Sequence, residues 1–157
     1  MTPLRAALVL ALLVAPAADA QVAADGAARL EGAWIRVESI APSGTAQPSP
    51  PGVRTFVGGH YSWVQAPANR PLPDSTSSAA QLRAIWGTVT ASSGRYEVVG
   101  QTVTQRPIAT LGPGGMASGF FQTFAYRMAG DTMWITQIAT ANGPLTNQGT
   151  GKYVRVR

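Results

Sequence analysis

The sequence predicts an all-β chain: an eight-stranded antiparallel up-and-down β-barrel with one short helix inserted after the third strand. Three observations carry this. Short runs rich in Val, Ile, Thr, Tyr, Phe and Trp recur along the chain, and these residues suit a pleated, half-buried surface. Between them lie 17 Gly and 12 Pro, the punctuation of many short strands joined by turns. Three of the links are short enough to be hairpin turns, and eight strands joined to their neighbours can close and hide the edges of an open sheet. A two-sheet sandwich is the alternative, but it would more often need Greek-key crossovers.

The first twenty residues stand apart. Arg5 precedes an apolar run, Ala6 to Ala15, followed by Pro16 and Ala18-Asp19-Ala20. A positive start, a short apolar core and a small-x-small end mark a secretory signal peptide. Cleavage is expected after Ala20; a retained anchor or a core helix is the competing reading. The run is shorter than the roughly 20 residues of a membrane-spanning helix, and no other stretch could span as one. No Cys follows it, which excludes a lipid-modified lipoprotein. The expected location is therefore the periplasm or the medium. A chain without Cys is compatible with either, and packing alone must hold it together.

Residues 21–29 are small and polar and read as a frayed, disordered lead-in to a domain over 30–157. Glu31 to Ile40 is the first strand. Pro42 to Gly52 is a loop. Val53–Val57 and His60–Gln65 form a hairpin about Gly58-Gly59, a pair suited to a primed turn. This sets Phe56 opposite Tyr61 and Arg54 opposite Trp63. Pro67 to Ser78 is a second loop. Asp74 or Ser75 then caps a helix reaching about Trp86, with Ala79, Leu82, Ile85 and Trp86 on one face; a strand over Ile85–Thr90 competes.

A second hairpin runs from Gly94 to about Leu111, turning at Val99-Gly100. Tyr96, Val98, Val103 and Gln105 share one of its faces, and Glu97, Thr102, Thr104 and Arg106 share the other. The more apolar face is expected inside, with Gln105 as a polar contact. Gly112 to Gly119 is a Gly-rich connection near the barrel mouth; it lacks the Lys and Ser/Thr of a phosphate loop. Phe120–Met128 and Thr132–Ile138 pair about Ala129-Gly130, which sets Tyr126 against Met133 and Phe124 against Ile135. Gly151 to Arg157 is the last strand.

The net charge is +5, nearly all of it Arg. The Arg residues are dispersed and form no run, so they read as solvated surface charge and not as a nucleic-acid footprint.

Three segments resemble the bacterial lipocalin-like domain proteins of the calycin superfamily. Leu30-Glu31-Gly32-Ala33-Trp34 looks like the Gly-x-Trp that opens the first barrel strand. Ser93 to Val98, with Val103-Thr104, looks like the mid-barrel hairpin. Ala129 to Trp134, with Tyr153-Val154-Arg155, looks like the closing segment. The resemblance implies a barrel with a cavity for a small apolar or amphipathic molecule. It also implies that Trp34 closes one end under a late Arg, Arg155 or alternatively Arg157. The middle motif and disulfide of classical transport lipocalins have no counterpart here.

The single His, His60, follows a Gly-Gly pair and reads as a solvated turn residue. With no Cys and one His, the usual zinc sites cannot be built, so no metal and no cofactor are implied. No catalytic Ser elbow is present. In the first strand, alternation puts Trp34, Arg36 and Glu38 on one face. Since a buried charge is costly unless paired, Arg36 and Glu38 either form a polar cluster in the cavity or that end of the strand leaves the barrel, unless a bulge intervenes. Aromatic stripes supply the expected ligand surface: Trp34, Phe56, Tyr61, Trp63, Tyr96, Phe124 and Tyr126, with Arg36 or Arg106 for polar specificity. The leading expectation is an exported barrel binding a small hydrophobic or amphipathic ligand. The alternatives are an isomerase- or cyclase-type enzyme using Glu38, Glu97, Tyr96 or His60, and a filled barrel acting through its surface.

Overall fold

The computed structural model describes residues 26–67, 69 and 71–157. The expected signal segment and its cleavage point lie outside them. In chain order the elements are β1 (Gly32–Ile40), β2 (Ala46–Pro48), β3 (Gly52–Val57), β4 (His60–Gln65), α1 (Ala79–Trp86), β5 (Thr90–Val99), β6 (Thr102–Thr110), a 3-10 turn (Pro113–Met116), β7 (Gln122–Ala129), β8 (Thr132–Thr140), β9 (Gly143–Pro144) and β10 (Thr150–Arg155). Eight strands run antiparallel in the order β1-β3-β4-β5-β6-β7-β8-β10, and β10 returns to pair with β1. The barrel is closed and up-and-down, as the sequence predicts. Two short strands extend it: β2, inside the expected loop 42–52, pairs with β1, and β9 pairs with β8.

The hairpins show how local chemistry sets register. At Gly58-Gly59 both residues have positive φ (54° and 76°), and Phe56 faces Tyr61 and Arg54 faces Trp63. The other two turns sit one residue later than the sequence suggests. Val99 pairs with Thr102 and Ala129 with Thr132, so the turns are Gly100-Gln101 and Gly130-Asp131. A lone Gly takes the first central position of a primed turn, where φ is positive (56° and 54°), and the next residue needs no such freedom. Val98 therefore faces Val103, Met128 faces Met133 and Tyr126 faces Ile135. The partners move by two residues, an even shift that leaves every side chain on its expected face. Tyr96, Val98, Val103 and Gln105 are accordingly buried.

Two bulges adjust the wall. In β1 the pairing with β10 shifts between Arg36, opposite Tyr153, and Glu38, opposite Lys152. The extra residue, Val37, reverses the alternation. Arg36 faces inward with Trp34, while Glu38 turns outward and pairs with Lys152 at 3.0 Å. The expected alternatives for Arg36 and Glu38 are thus resolved by separating them. In β5 the shift falls between Ser93 and Gly94. Here a Cβ on Gly94 would lie 2.0 Å from the Arg106 carbonyl oxygen, and Pro107 sits opposite, in the sheet position where a residue without N–H is tolerated.

All three tight turns lie at one end of the barrel, and that end is plugged. Residues 26–30 are helical, although 26–29 fall in the frayed lead-in expected over 21–29, with Leu30 fully buried and Ala27 against the core. The Trp34 indole Nε1 donates to the Leu30 carbonyl at 2.8 Å. The Arg155 guanidinium lies 4.2 Å over the Trp34 ring and donates to the carbonyls of Glu31 and Arg29. Arg155, and not Arg157, is the closing cation; Arg157 pairs outside with Asp131. The Glu31 carboxylate accepts from the Gly58 amide at 2.9 Å and the Tyr96 hydroxyl at 3.1 Å, fastening the plug to two hairpins.

The helix starts later than expected. Ser78 caps α1, and Gln81 returns the bond in a reciprocal capping box. Asp74 instead holds the preceding turn by accepting from Thr76 and Ser77. Of the predicted apolar face only Ile85 is buried, because α1 belongs to a connection outside the barrel core.

Candidate functional site

Since the tight turns occupy the plugged end, the long connections gather at the other end. There the barrel stays open over a cavity of about 740 Å³. Its depth follows from side-chain size along the inward faces. Toward the plug these are Trp34, Phe56, Tyr96, Val98, Val103 and Met133, which pack together. Toward the open end the inward positions include Ser92, Thr90, Thr110 and Gly151, which leave space. The Gly-rich segment 112–118 and Phe120 complete one side of the mouth.

The floor lies at mid-barrel. It is made by Arg54 of β3, Trp63 of β4, Gln105 of β6, Phe124 of β7, Ile135 of β8 and Tyr153 of β10, with Arg36 of β1 beside them. Arg54 is 5% exposed and Gln105 is 1% exposed. The Arg54 guanidinium carbon stands 4.8 Å from the Trp63 ring centre, 5.0 Å from Phe124 and 5.7 Å from Tyr153. Arg36 reaches the same Trp63 ring at 5.9 Å, and its Nη1 donates to Gln65 at 2.8 Å. Gly151 allows this approach: a Cβ there would lie 2.7 Å from the Tyr153 ring and 3.2 Å from Arg36 Nε.

The electrostatics are one-sided. Among the described residues no Asp or Glu lines the cavity. Four buried nitrogens at its base have no hydrogen-bond partner: Arg36 Nε, Arg54 Nε, Arg54 Nη1 and Gln105 Nε2. Buried polar groups are nearly always satisfied, so four orphan nitrogens in one place form a coherent feature. Burial pushes the Arg54 guanidinium below its ordinary pKa. Tyr153 opposes that shift and the charge of Arg36 adds to it. A guanidinium remains a cation throughout. Nearby, Tyr61 donates to or accepts from Ser92 at 2.8 Å, and burial raises its hydroxyl pKa against the pull of that bond and of Arg54.

Of the residues expected from sequence to bind ligand, Arg36, Trp63 and Phe124 line the cavity. Trp34, Phe56, Tyr61 and Tyr96 are buried in the packed core. Tyr126 packs against that core, its hydroxyl donating to the Gly100 carbonyl at the plugged end. Arg106 points outward and stacks on Phe121 at 5.4 Å. The sequence reading missed Arg54, taken there as surface charge. The signal was present: Arg54 shares a face with Phe56 in β3 and sits opposite Trp63, so an inward aromatic stripe carries it inside. Glu38, Glu97 and His60 lie on the outside or at a turn, and Tyr96 is bonded to Glu31; none of them lines the cavity.

No protein-family model matches the chain, and no curated protein sequence matches it. Among solved structures it is similar to a lipocalin-like protein from Bacteroides uniformis ATCC 8492, with a TM-score of 0.49 and 14% identity over 81% of this chain and 98% of that one. The fold described above follows from the strand pairing itself.

Proposed function

We propose that this chain is an exported barrel protein that holds one small amphipathic molecule in its open-ended cavity. The observation that carries this reading is the cavity. At about 740 Å³ it falls well above the roughly 300 Å³ at the low end of small-molecule sites. A barrel acting only through its surface has no use for such a space. The walls favour an amphipathic occupant over a purely apolar one. Trp63, Phe120, Phe124 and Ile135 offer apolar surface, while Thr90, Ser92, Gln122 and Gln137 offer hydrogen bonds. Export is supported by Arg5, the apolar run Ala6 to Ala15 and the Ala18-Asp19-Ala20 end. The enzymatic alternative has less support, because its acid–base candidates lie away from the cavity.

A fluorescence titration with N-phenyl-1-naphthylamine, a neutral apolar dye, tests the reading. Saturable enhancement at one site per chain is expected, together with a small molecule retained in native mass spectra of protein purified from its own cell envelope. No dye response and no retained molecule would overturn it.

A further inference from the structure

We propose that the cavity selects organic anions, and that Arg54, flanked by Arg36 and Gln105, holds an oxyanion head group of the carboxylate or phosphate-monoester class at mid-barrel. This rests on the reading that the cavity binds a small molecule at all.

Arg54 is almost wholly buried, yet its Nε and Nη1 have no acceptor; neither have Arg36 Nε and Gln105 Nε2. All four are donors on side chains that line the same cavity, just beneath its surface, so they call for oxygen acceptors. The aromatic rings around Arg54 attract its charge, and the Tyr153 hydroxyl bonds the guanidinium, but Nε and Nη1 remain without an acceptor. A neutral ligand carbonyl would satisfy some of these donors. It would leave two guanidinium charges beside one indole ring, 4.8 and 5.9 Å from its centre, with no counter-charge among the described lining residues. An anion answers both needs, and hydrogen bonds between ionised groups are about twice as strong as neutral ones. The apolar body of the ligand lies against Trp63, Phe124 and Ile135, and its outer part meets the polar mouth.

A matched pair of dyes provides the test: N-phenyl-1-naphthylamine and 8-anilinonaphthalene-1-sulfonate share one skeleton, and only the second carries an oxyanion. The full chain should bind the sulfonate about tenfold or more tightly than the neutral dye, the factor expected of one charge-assisted hydrogen bond. Arg54→Met should bring the two affinities within about threefold of each other, while Arg95→Met, at an exposed outward position, should leave the preference intact. Arg36→Met, at a half-buried position that a folded chain tolerates more easily, should reduce the preference as well. Decanoate or decyl phosphate should displace the sulfonate more effectively than 1-decanol does, and the better of the two identifies the head group. Equal affinity of the wild-type chain for the two dyes, or displacement by 1-decanol as effective as by either anion, overturns the inference but leaves cavity binding standing. Failure of both dyes to bind removes the reading beneath it.

Discussion

Arg54→Met should make the empty protein more stable, against the usual direction of core substitutions. Two Arg54 nitrogens are buried without acceptors, and each unmade buried bond costs about 1–3 kcal/mol. Stacking against three rings between 4.8 and 5.7 Å away returns about 0.5–2 kcal/mol per ring, and relief of the Arg36 charge favours the substitution. Methionine keeps much of the side-chain volume, is flexible enough to fill the gap and makes favourable sulfur–aromatic contacts. The net gain is about 1–3 kcal/mol, in the range seen when buried ions are replaced by apolar groups. For a domain of this size it corresponds to a rise in Tm of roughly 4–12 °C. Differential scanning calorimetry of ligand-free protein reads it directly. A saturating sulfonate dye should narrow or invert the gap, because only the wild type gains fully from linkage, about 2.7 kcal/mol at a hundred times Kd. A lower Tm for ligand-free Arg54→Met would refute the reasoning, because Arg54 would then be a structural residue already satisfied by its ring contacts.

Other perturbations probe the scaffold. Arg155→Ala removes the cation over Trp34 and two bonds to backbone carbonyls, and should cost about 3 kcal/mol in urea unfolding while releasing the helical plug to faster amide exchange. Gly94→Ala places a methyl 2.0 Å from the Arg106 carbonyl oxygen; the wall must shift, at about 3 kcal/mol, read as a lower urea midpoint. Tyr96 has its pKa pushed up to about 12 by burial and by the Glu31 carboxylate, and burial also raises Tyr61 and Tyr126. The unfolded chain therefore gives up these protons first. The associated stability should be intact below about pH 10 and fall as pH rises toward 12, seen as alkaline unfolding by circular dichroism.

Much of the barrel was legible because period-two alternation survives errors in turn placement. Gly100 and Gly130 were each assigned to the wrong position of their turns, yet the resulting slip was even, so Tyr96, Val98 and Val103 stayed on the inner face. The same logic failed in β1, where one extra residue at Val37 separates Arg36 from Glu38 and no sequence signal marks the bulge. The Trp34–Arg155 contact was anticipated from resemblance and not from spacing. The site was harder to read for two physical reasons. Alternation tells which residues point inward but not which end of the barrel their volumes fill, so it cannot distinguish cavity wall from the packing that Trp34, Phe56 and Tyr96 supply. Arginine is also read as surface by default, although Arg54 shares a face with Phe56 and stands opposite Trp63.

The most direct test of the account is a crystal structure of the full chain soaked with 8-anilinonaphthalene-1-sulfonate or decanoate. One molecule is expected in the barrel, with an oxyanion oxygen within hydrogen-bond distance of Arg54 Nε or Nη1 and its apolar body against Trp63 and Phe124. A cavity left empty at saturating ligand, or a head group held at the mouth with Arg54 still unpaired, would contradict it.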